Sequence, residues 1–180
     1  FFTMWGDNGG ECSPFGVLPT LVTLSEYAKG NYDRGEIEKV FKKIVGADFN
    51  AFMLLERPDR ICSVPEKPDT HNPSKTMLYT DPFCGLFDKC IAPGLSERYY
   101  TDLSEQLKKQ EKNDLYGYLF KTIRTLCDVL AVKFDLGVRT RELYRGKDRA
   151  ALKELALKDY TDLSARLEEF YAAFETCWAT

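Results

Sequence analysis

Trp5 and Asp7 are the two side chains whose types and spacing best suit a binding site. They flank a glycine in the segment FFTMWGDNGGEC, and residues i and i+2 of a β-strand point to the same face. The indole would therefore stand beside the carboxylate at the C-terminal end of a strand. Because an indole stacks on the apolar face of a sugar ring and a carboxylate accepts hydrogen bonds from hydroxyls, the pair indicates sugar binding. On spacing alone, a core tryptophan followed by an aspartate that caps a turn is the alternative.

The other candidates for chemistry are weaker. Glu11 follows the glycine-rich turn and lies either at the rim of a pocket or in solvent as a capping carboxylate. His71 is the only histidine and stands in a proline-rich loop, where we expect it on the surface. The six cysteines are irregularly spaced and include no C-x-x-C pair, which favours buried free thiols in a reducing compartment over disulfides. We therefore expect no metal, no cofactor and no histidine-based catalytic triad.

The composition is that of a soluble globular protein, since 44% of the 180 residues are hydrophobic and 29% are charged. The net charge of −3 argues against a protein that binds nucleic acid or an anionic membrane, because both partners require a basic face. No apolar run approaches the roughly 18 residues of a membrane-spanning helix. No signal peptide is visible, so we expect a cytoplasmic protein.

The elements that would position Trp5 and Asp7 form one βα unit. Residues 1–6 are aromatic and favour a strand, residues 7–10 form a turn, and a helix follows with Pro19 in its first turn. The apolar residues of this helix fall on one face, namely Val17, Leu21, Leu24 and Ala28. A single strand cannot form a sheet. We therefore expect its partner strands upstream of this sequence, which would then be the C-terminal piece of a longer chain.

Residues 31–95 predict short helices joined by irregular connections. The first helix ends at Gly46, and its apolar face consists of Ile37, Val40, Phe41 and Ile44. Asp48 is the expected N-cap of a shorter helix that ends before Pro58. Four prolines make residues 58–76 an irregular connection. The aromatic residues that follow indicate a packed loop with a helical turn.

Residues 96–180 predict a helical bundle. Three long helical patterns cover approximately residues 96–112, 114–144 and 148–178. The first places Leu103 and Leu107 on one face, and the second carries Leu115, Leu119, Ile123, Leu126, Leu130 and Phe134. The third has a coiled-coil-like seam of Ala156, Tyr160, Leu163, Leu167, Phe170, Phe174 and Cys177. Such a seam is typical of antiparallel helices in a small bundle.

The segment TMWGDNGGECSPFGVLPTLVTLSEYAKGNYD resembles the last barrel strand and helix of the family 20 glycoside hydrolases, the exo-β-N-acetylhexosaminidases. The segments DRGEIEKVFKKIVGADFNAFMLLERP, MLYTDPFCGLFDKC and YTDLSARLEEFYAAFETCW are similar to the α-helical C-terminal domain of a bacterial subgroup. The resemblance implies that Trp5 forms one wall of the −1 sugar pocket and that Asp7 hydrogen-bonds the hydroxyls at C4 and C6. It also implies that the substrate is a glycan ending in N-acetylhexosamine.

The catalytic Asp-Glu pair of that family has no counterpart here. In the family it lies on the fourth barrel strand, in a segment of the type H-x-G-G-D-E, and this sequence contains no such segment. The family uses substrate-assisted retaining catalysis, in which the acetamido oxygen attacks C1, the Asp orients that group and the Glu is the general acid. We therefore assign no catalytic residue to this chain and expect it to be inactive alone.

The expected fold class is mainly α. Residues 1–30 would be the last βα unit of a (β/α)8 TIM barrel, residues 31–95 short helices and connections, and residues 96–180 a bundle of long antiparallel helices. The alternative function is a non-catalytic helical module for interaction or oligomerisation, which the long seam suggests. Since the helical domain of an enzyme can also be its dimer interface, a homodimer through this domain is compatible with both.

Overall fold

The architecture is that of a computed structural model, which describes residues 13–60, 73–86, 88, 91 and 95–179. These residues form nine α-helices and two short 3₁₀ helices, Pro14–Val17 and Arg57–Asp59, and no strand. The helices are α1 (Leu18–Ala28), α2 (Arg34–Val45), α3 (Phe49–Phe52), α4 (Pro73–Tyr79), α5 (Glu97–Lys108), α6 (Gly117–Lys133), α7 (Leu136–Arg145), α8 (Arg149–Leu157) and α9 (Asp159–Ala179). The strand predicted at 1–6 lies outside the described residues, so the βα unit stays a prediction of which the structure describes only the helical part, α1.

The ends of α2 and α3 are set by residues adjacent to them in the sequence. The Asp33 carboxylate accepts a hydrogen bond from the Glu36 amide at 2.8 Å, which satisfies an N–H that has no partner inside the helix. Gly46 ends α2 with a φ of 75°, a left-handed conformation that glycine adopts without steric cost. Asp48 caps α3 by accepting from the Ala51 amide at 2.8 Å. The predicted end of α2 at Gly46 and the predicted N-cap of α3 at Asp48 are confirmed. The prediction that this shorter helix continues to Pro58 was wrong, because α3 ends at Phe52 and Pro58 lies in the separate 3₁₀ helix Arg57–Asp59.

Helices α5, α6 and α9 form an antiparallel bundle, as the seam predicted. Ser104 of α5 donates to Asp128 of α6, whereas Glu111, just beyond α5, pairs with Arg124. Partner numbers therefore fall along α6 as they rise along α5, which means that the two helices run in opposite directions. The contacts between α6 and α9 follow the same descending order, with Thr122–Ala173, Arg124–Glu169 and Asp128–Arg166.

The second predicted long helix, residues 114–144, starts later than expected. The Asn113 side chain accepts hydrogen bonds from the amides of Leu115 and Tyr116 at 3.0 and 2.9 Å, and this holds both residues in a turn. Leu115 was predicted on the apolar face but is 65% exposed. The helix begins only at Gly117.

The same predicted helix is also broken near its middle, so the prediction of one continuous helix was wrong. The chain leaves α6 after Lys133, and α7 begins at Leu136. Asp135 and Gly137, on either side of Leu136, both have low helix propensity. A Cβ on Gly137 would lie 3.0 Å from the Pro82 backbone. Glycine therefore allows the segment after α4 to approach α7 closely.

The third predicted helix, residues 148–178, is broken as well. Lys158 has φ −105° and ψ −71°, and it separates α8 from α9. Ala156 was predicted in the seam but is exposed, whereas its neighbour Leu155 is buried. Leu155 packs in a second core cluster with Val129, Leu136 and Leu163, and the break lets α8 turn this side inward. From residue 160 onward the seam is confirmed, since its members are buried or partly buried.

Helix α4 lies partly within the stretch 58–76 that was predicted to be irregular. The Asp59 carboxylate accepts hydrogen bonds from the Ser74 amide at 3.1 Å and from its hydroxyl at 2.6 Å. This carboxylate stabilises the first turn of α4 from a position fifteen residues earlier. No local sequence pattern predicts a helix whose first turn is stabilised by a residue so distant in the sequence.

The main core is centred on aromatic rings from α2, α3 and α6. Phe52 is 1% exposed and meets the rings of Phe41, Tyr116 and Phe120 edge-on, at centroid distances of 5.4, 5.1 and 5.5 Å. Edge-to-face pairs of this kind stabilise a core beyond the area that they bury. Within the described ranges, no helix is long and apolar enough to cross a membrane.

Two helix faces differ from the predicted ones. On α2 the buried side chains are Ile37, Phe41 and Val45, so Ile44 is 67% exposed. On α1 the buried side chains are Pro19, Val22 and Glu26. The sequence predicts a different apolar face for α1, made of Val17, Leu21, Leu24 and Ala28. On that face Leu21 is 40% exposed.

Candidate functional site

The residues predicted to bind sugar, Trp5 and Asp7, lie outside the described residues, as do Glu11 and His71. The structure therefore neither brings them together nor separates them. Ser13 is the described residue nearest to them in sequence. The contacts of Ser13 therefore show which part of the domain lies next to the point where the candidate-site segment joins it.

The chain around Ser13 contacts the start of α6. We call the side chains that make this connection the anchor cluster: Ser13, Phe15, Phe52, Tyr116 and Tyr118. Ser13 is 8% exposed, and its side chain hydrogen-bonds that of Tyr118. The Phe15 ring lies 6.4 Å from the Tyr116 ring. Since Phe52 and Tyr116 belong to the main core, the anchor cluster connects the chain entering α1 to that core.

The anchor cluster is uncharged at neutral pH. Burial raises the pKa of Tyr118, although the hydrogen bond with Ser13 acts in the opposite direction. The phenol therefore stays protonated well above pH 7 and does not act as a base. The cluster can position the preceding segment, but it supplies no acid or base for a reaction.

The most extensive ionic network lies in the bundle, around Arg124. Its guanidinium pairs with Glu111 and Asp128 at 2.5 Å each and with Glu169 at 2.8 Å. Burial acts to lower the pKa of Arg124, but the hydrogen bonds with Glu169 and Glu111 outweigh it and raise this pKa. Arg124 thus stays charged and joins α9 and the end of α5 to α6. All three carboxylates are engaged in this structural role.

Two cations hold the segment that follows α4. Lys133 donates to the carbonyls of Met77 and Thr80 at 2.9 and 2.6 Å, at the end of α4 where a positive charge is favourable. Burial lowers the pKa of Lys133. Arg141 donates to the Pro82 carbonyl and to the Asp88 carboxylate. Together they fix this segment onto α6 and α7.

A cavity of about 20 Å³ lies beside these two cations, lined by Thr80, Asp88, Lys133 and Val138 among others. This volume holds about one water molecule. Ligand pockets have volumes of roughly 300–1,000 Å³. The cavity is therefore too small for a sugar ring.

Glu26 and Asp81 have shifted pKa values, and both shifts are downward. Hydrogen bonds from Lys29 and Asn31, at 2.6 and 2.9 Å, lower the pKa of Glu26. The amides of Phe83 and Cys84 lower that of Asp81. A carboxylic acid that protonates a leaving group needs a raised pKa. These two groups are therefore unsuited to general-acid catalysis.

In the part of the chain that the structure describes, no group of three or more His, Cys, Asp or Glu side chains could hold a metal ion. Cys84 is an exposed thiol, and Cys127 and Cys177 are buried thiols. Burial raises the pKa of Cys127, which makes this thiol unreactive. The predicted burial is confirmed for Cys127 and Cys177, whereas Cys84 is exposed.

The described residues thus define an all-helical domain whose polar groups serve its own structure. A family model described as the Glycoside Hydrolase 20C C-terminal domain matches residues 50–180. Because this match covers more than half of the chain, the chain belongs to that family and is a C-terminal portion of a family 20 glycoside hydrolase. The match includes α4 to α9 and does not reach Trp5, Asp7 or Glu11. A comparison with curated proteins found no match.

The sequence did not predict the anchor cluster or the Arg124 network. The pair Ser13-Pro14 carries a signal that could have been used, because serine favours the N-cap position and proline the first helical position. Arg124 carries no such signal. Its partners Glu111 and Glu169 lie 13 and 45 residues away, and only the packing of the helices brings them together.

Proposed function

We propose that this chain is the C-terminal part of an exo-β-N-acetylhexosaminidase, in which it positions the substrate and supports the fold but does not supply the catalytic acid. The observation that carries this proposal is the family match over residues 50–180. The substrate would be a glycan that ends in a β-linked N-acetylhexosamine. The Asp-Glu pair needed for substrate-assisted catalysis would lie in the preceding part of the enzyme.

In this proposal, Trp5 and Asp7 bind the terminal sugar. The Trp5 indole stacks on the apolar face of the ring, and the Asp7 carboxylate accepts hydrogen bonds from its hydroxyls. Neither group takes part in bond cleavage. Glu11 would stand at the rim of the pocket.

The helical domain would hold these residues in place. Only five residues separate Asp7 from Ser13, and Ser13 is attached to the core through the anchor cluster. A side chain that positions a substrate must be held closely, since small displacements reduce the rate strongly. The anchor cluster supports this role because it joins the incoming chain to the partly buried Tyr116 and, through that ring, to the fully buried Phe52.

Replacing Asp7 by alanine in the full-length enzyme tests the proposed sugar contact. A hydrogen bond to a charged group contributes about 1.5–3 kcal/mol, and each 1.36 kcal/mol changes a rate tenfold. We therefore expect kcat/KM for an aryl β-N-acetylglucosaminide to fall roughly 10- to 150-fold.

Asp114→Ala is the matched control, because Asp114 is an exposed carboxylate in the turn before α6. Its kcat/KM should equal that of the unaltered enzyme. An Asp7→Ala enzyme with unchanged kcat and KM would refute the assignment of Asp7. A full-length enzyme that does not hydrolyse the substrate at all would refute the proposed activity.

An oligomerisation role is the second candidate. Helix α9 exposes 62% of Tyr171 and 47% of Trp178, and aromatic side chains are enriched at protein interfaces. Such an interface would form a homodimer through the helical domain. Sedimentation of the full-length enzyme at several concentrations tests this, and a monomer throughout the range would exclude it.

A further inference from the structure

Helices α7 and α8 leave the bundle and return to it at neighbouring points. We call residues 136–157 the arm. The chain enters the arm through the break at Asp135, after α6, and leaves it through the break at Lys158, before α9. The Arg139 side chain lies between the two breaks, because it pairs with Asp135 at 2.9 Å and with Asp159 at 2.5 Å. One guanidinium on the arm therefore joins the chain at both breaks.

The buried side chains of the arm lie near these breaks. Leu136 and Thr140 are the buried residues of α7, and Leu155 is the buried residue of α8. Residues 141–154, all of which the structure describes, include no buried side chain. Helix α6 provides the contrast, since eight of its residues are buried. Segments with few buried contacts open locally at a low cost in free energy.

The arm also packs on a core of its own. Its Leu136 and Leu155 contact one buried residue each from α6 and α9, Val129 and Leu163, and these four side chains are the buried members of the second core cluster. Among the described residues, no member of the arm belongs to the main core or packs against it. The arm can therefore separate from α6 and α9 while the main core keeps its contacts.

We infer that the arm opens as one unit about the two breaks while the bundle of α5, α6 and α9 stays folded, and that Arg139 holds it closed, an inference that does not depend on the proposed function. The side chains of Arg139, Asp135 and Asp159 are 38%, 31% and 30% exposed. Ion pairs exposed to this extent contribute less than buried pairs. Both pairs can therefore break without unfolding of the bundle.

Opening of the arm also loosens the segment that follows α4. Arg141 on α7 donates to the Pro82 carbonyl and to the Asp88 carboxylate. A Cβ on Gly137 of α7 would lie 3.0 Å from the Pro82 backbone. Because α7 makes both contacts, its separation breaks them together. Lys133 of α6 still holds the start of this segment, so only the later part is released.

Hydrogen–deuterium exchange of the full-length enzyme, read by peptide mass spectrometry, tests this opening. Helices α7 and α8 have ten and nine residues, and isolated helices of this length are unstable in water, so their amides exchange once the arm separates. Arg139→Met removes both ion pairs. We expect the amides of residues 142–157 to exchange about tenfold faster in this variant, a ratio equivalent to about 1.4 kcal/mol. The amides of α6 should keep their exchange rates.

Arg124→Met is the matched control, because the Arg124 guanidinium joins helices of the bundle and does not contact the arm. This variant should accelerate exchange in α6 and leave the arm unchanged. Arm amides that respond to Arg124→Met as strongly as those of α6 would overturn the inference, because they would exchange only when the bundle unfolds. Unchanged exchange of the arm in Arg139→Met would overturn it as well.

A second variant serves if Arg139→Met prevents folding. Tyr160→Phe removes only the hydroxyl of α9 that hydrogen-bonds Thr140 of the arm at 2.9 Å. We expect faster exchange in the arm and unchanged exchange in α6. Equal acceleration in both would show that the arm and the bundle open together, which contradicts the inference.

Discussion

Replacing Arg124 by methionine is the most direct test of what holds the bundle together. Methionine keeps the unbranched apolar stem and a similar helix propensity, so the change removes mainly the guanidinium. The Arg124 side chain is 14% exposed, and its three partners come from α6, from α9 and from the end of α5. The substitution therefore leaves three carboxylates close together without their common cation.

The expected loss in the free energy of unfolding depends on how far the three carboxylates that pair with Arg124 are buried. The side chains of Glu111, Asp128 and Glu169 are 26%, 24% and 53% exposed. Breaking a buried ion pair costs about 3–5 kcal/mol, whereas an exposed pair contributes about 0–1 kcal/mol. Because the carboxylates keep part of their hydration, the energetic contribution of the Arg124 network lies between these two values. We expect the free energy of unfolding to decrease by about 2–3 kcal/mol.

Thermal unfolding of the 180-residue chain, followed by circular dichroism at 222 nm, measures this loss. In a chain of this size 1 kcal/mol shifts Tm by about 2–4 °C, so Arg124→Met should lower Tm by roughly 4–12 °C. Arg98→Met is the control, since Arg98 and Asp102 are 3.4 Å apart with side chains 85% and 58% exposed. Its Tm should change by less than about 2 °C. If both variants melt within about 1 °C of the parent chain, the view that Arg124 holds the bundle together is wrong.

Two further predictions concern the core and the response to acid. Phe52→Ala removes a ring that is 1% exposed and should lower the free energy of unfolding by about 3–5 kcal/mol in urea titrations. Tyr144→Ala, at a side chain 75% exposed, should cost no more than about 0.5 kcal/mol, and a similar cost for both would contradict the packing described. The pKa of Glu26 is lowered from its ordinary value of 4.5, so its stabilising effect is complete above that value and is lost as pH falls through the folded-state pKa. Glu26→Gln should therefore flatten the decline of stability below pH 4.5, and an acid transition identical to that of the parent chain would show that Glu26 contributes nothing there.

The parts of the fold that the sequence predicts correctly depend on residues close together in the chain. Gly46 and Asp48 fix helix ends through contacts that span four and three residues. Leu103 and Leu107 are buried as predicted, because a spacing of four places them on one face. Local propensity and periodicity suffice for features of this kind.

The errors arise where a distant residue decides the structure. The start of α4 is held by Asp59 from fifteen residues away. The rotation that buries Leu155 and exposes Ala156 follows from packing against Val129 and Leu136. Neither contact leaves a periodic signal in the sequence. The candidate sugar site depends on residue types and family resemblance alone, so Trp5 and Asp7 stay predictions.

Stability and substrate binding should be separable in this enzyme. The charged network around Arg124 joins α6 to α9 and to the turn just beyond α5, whereas the candidate sugar residues precede Ser13 in the sequence and would be held through the anchor cluster. Arg124→Met should therefore lower Tm and leave KM unchanged at temperatures where the enzyme stays folded, since the anchor cluster keeps its contacts with the core. Asp7→Ala should change kcat/KM and leave Tm unchanged, because the contact proposed for Asp7 is with the substrate alone. If both variants altered both quantities together, the bundle and the sugar site would be one cooperative unit, and the division between a supporting domain and a binding segment would fail.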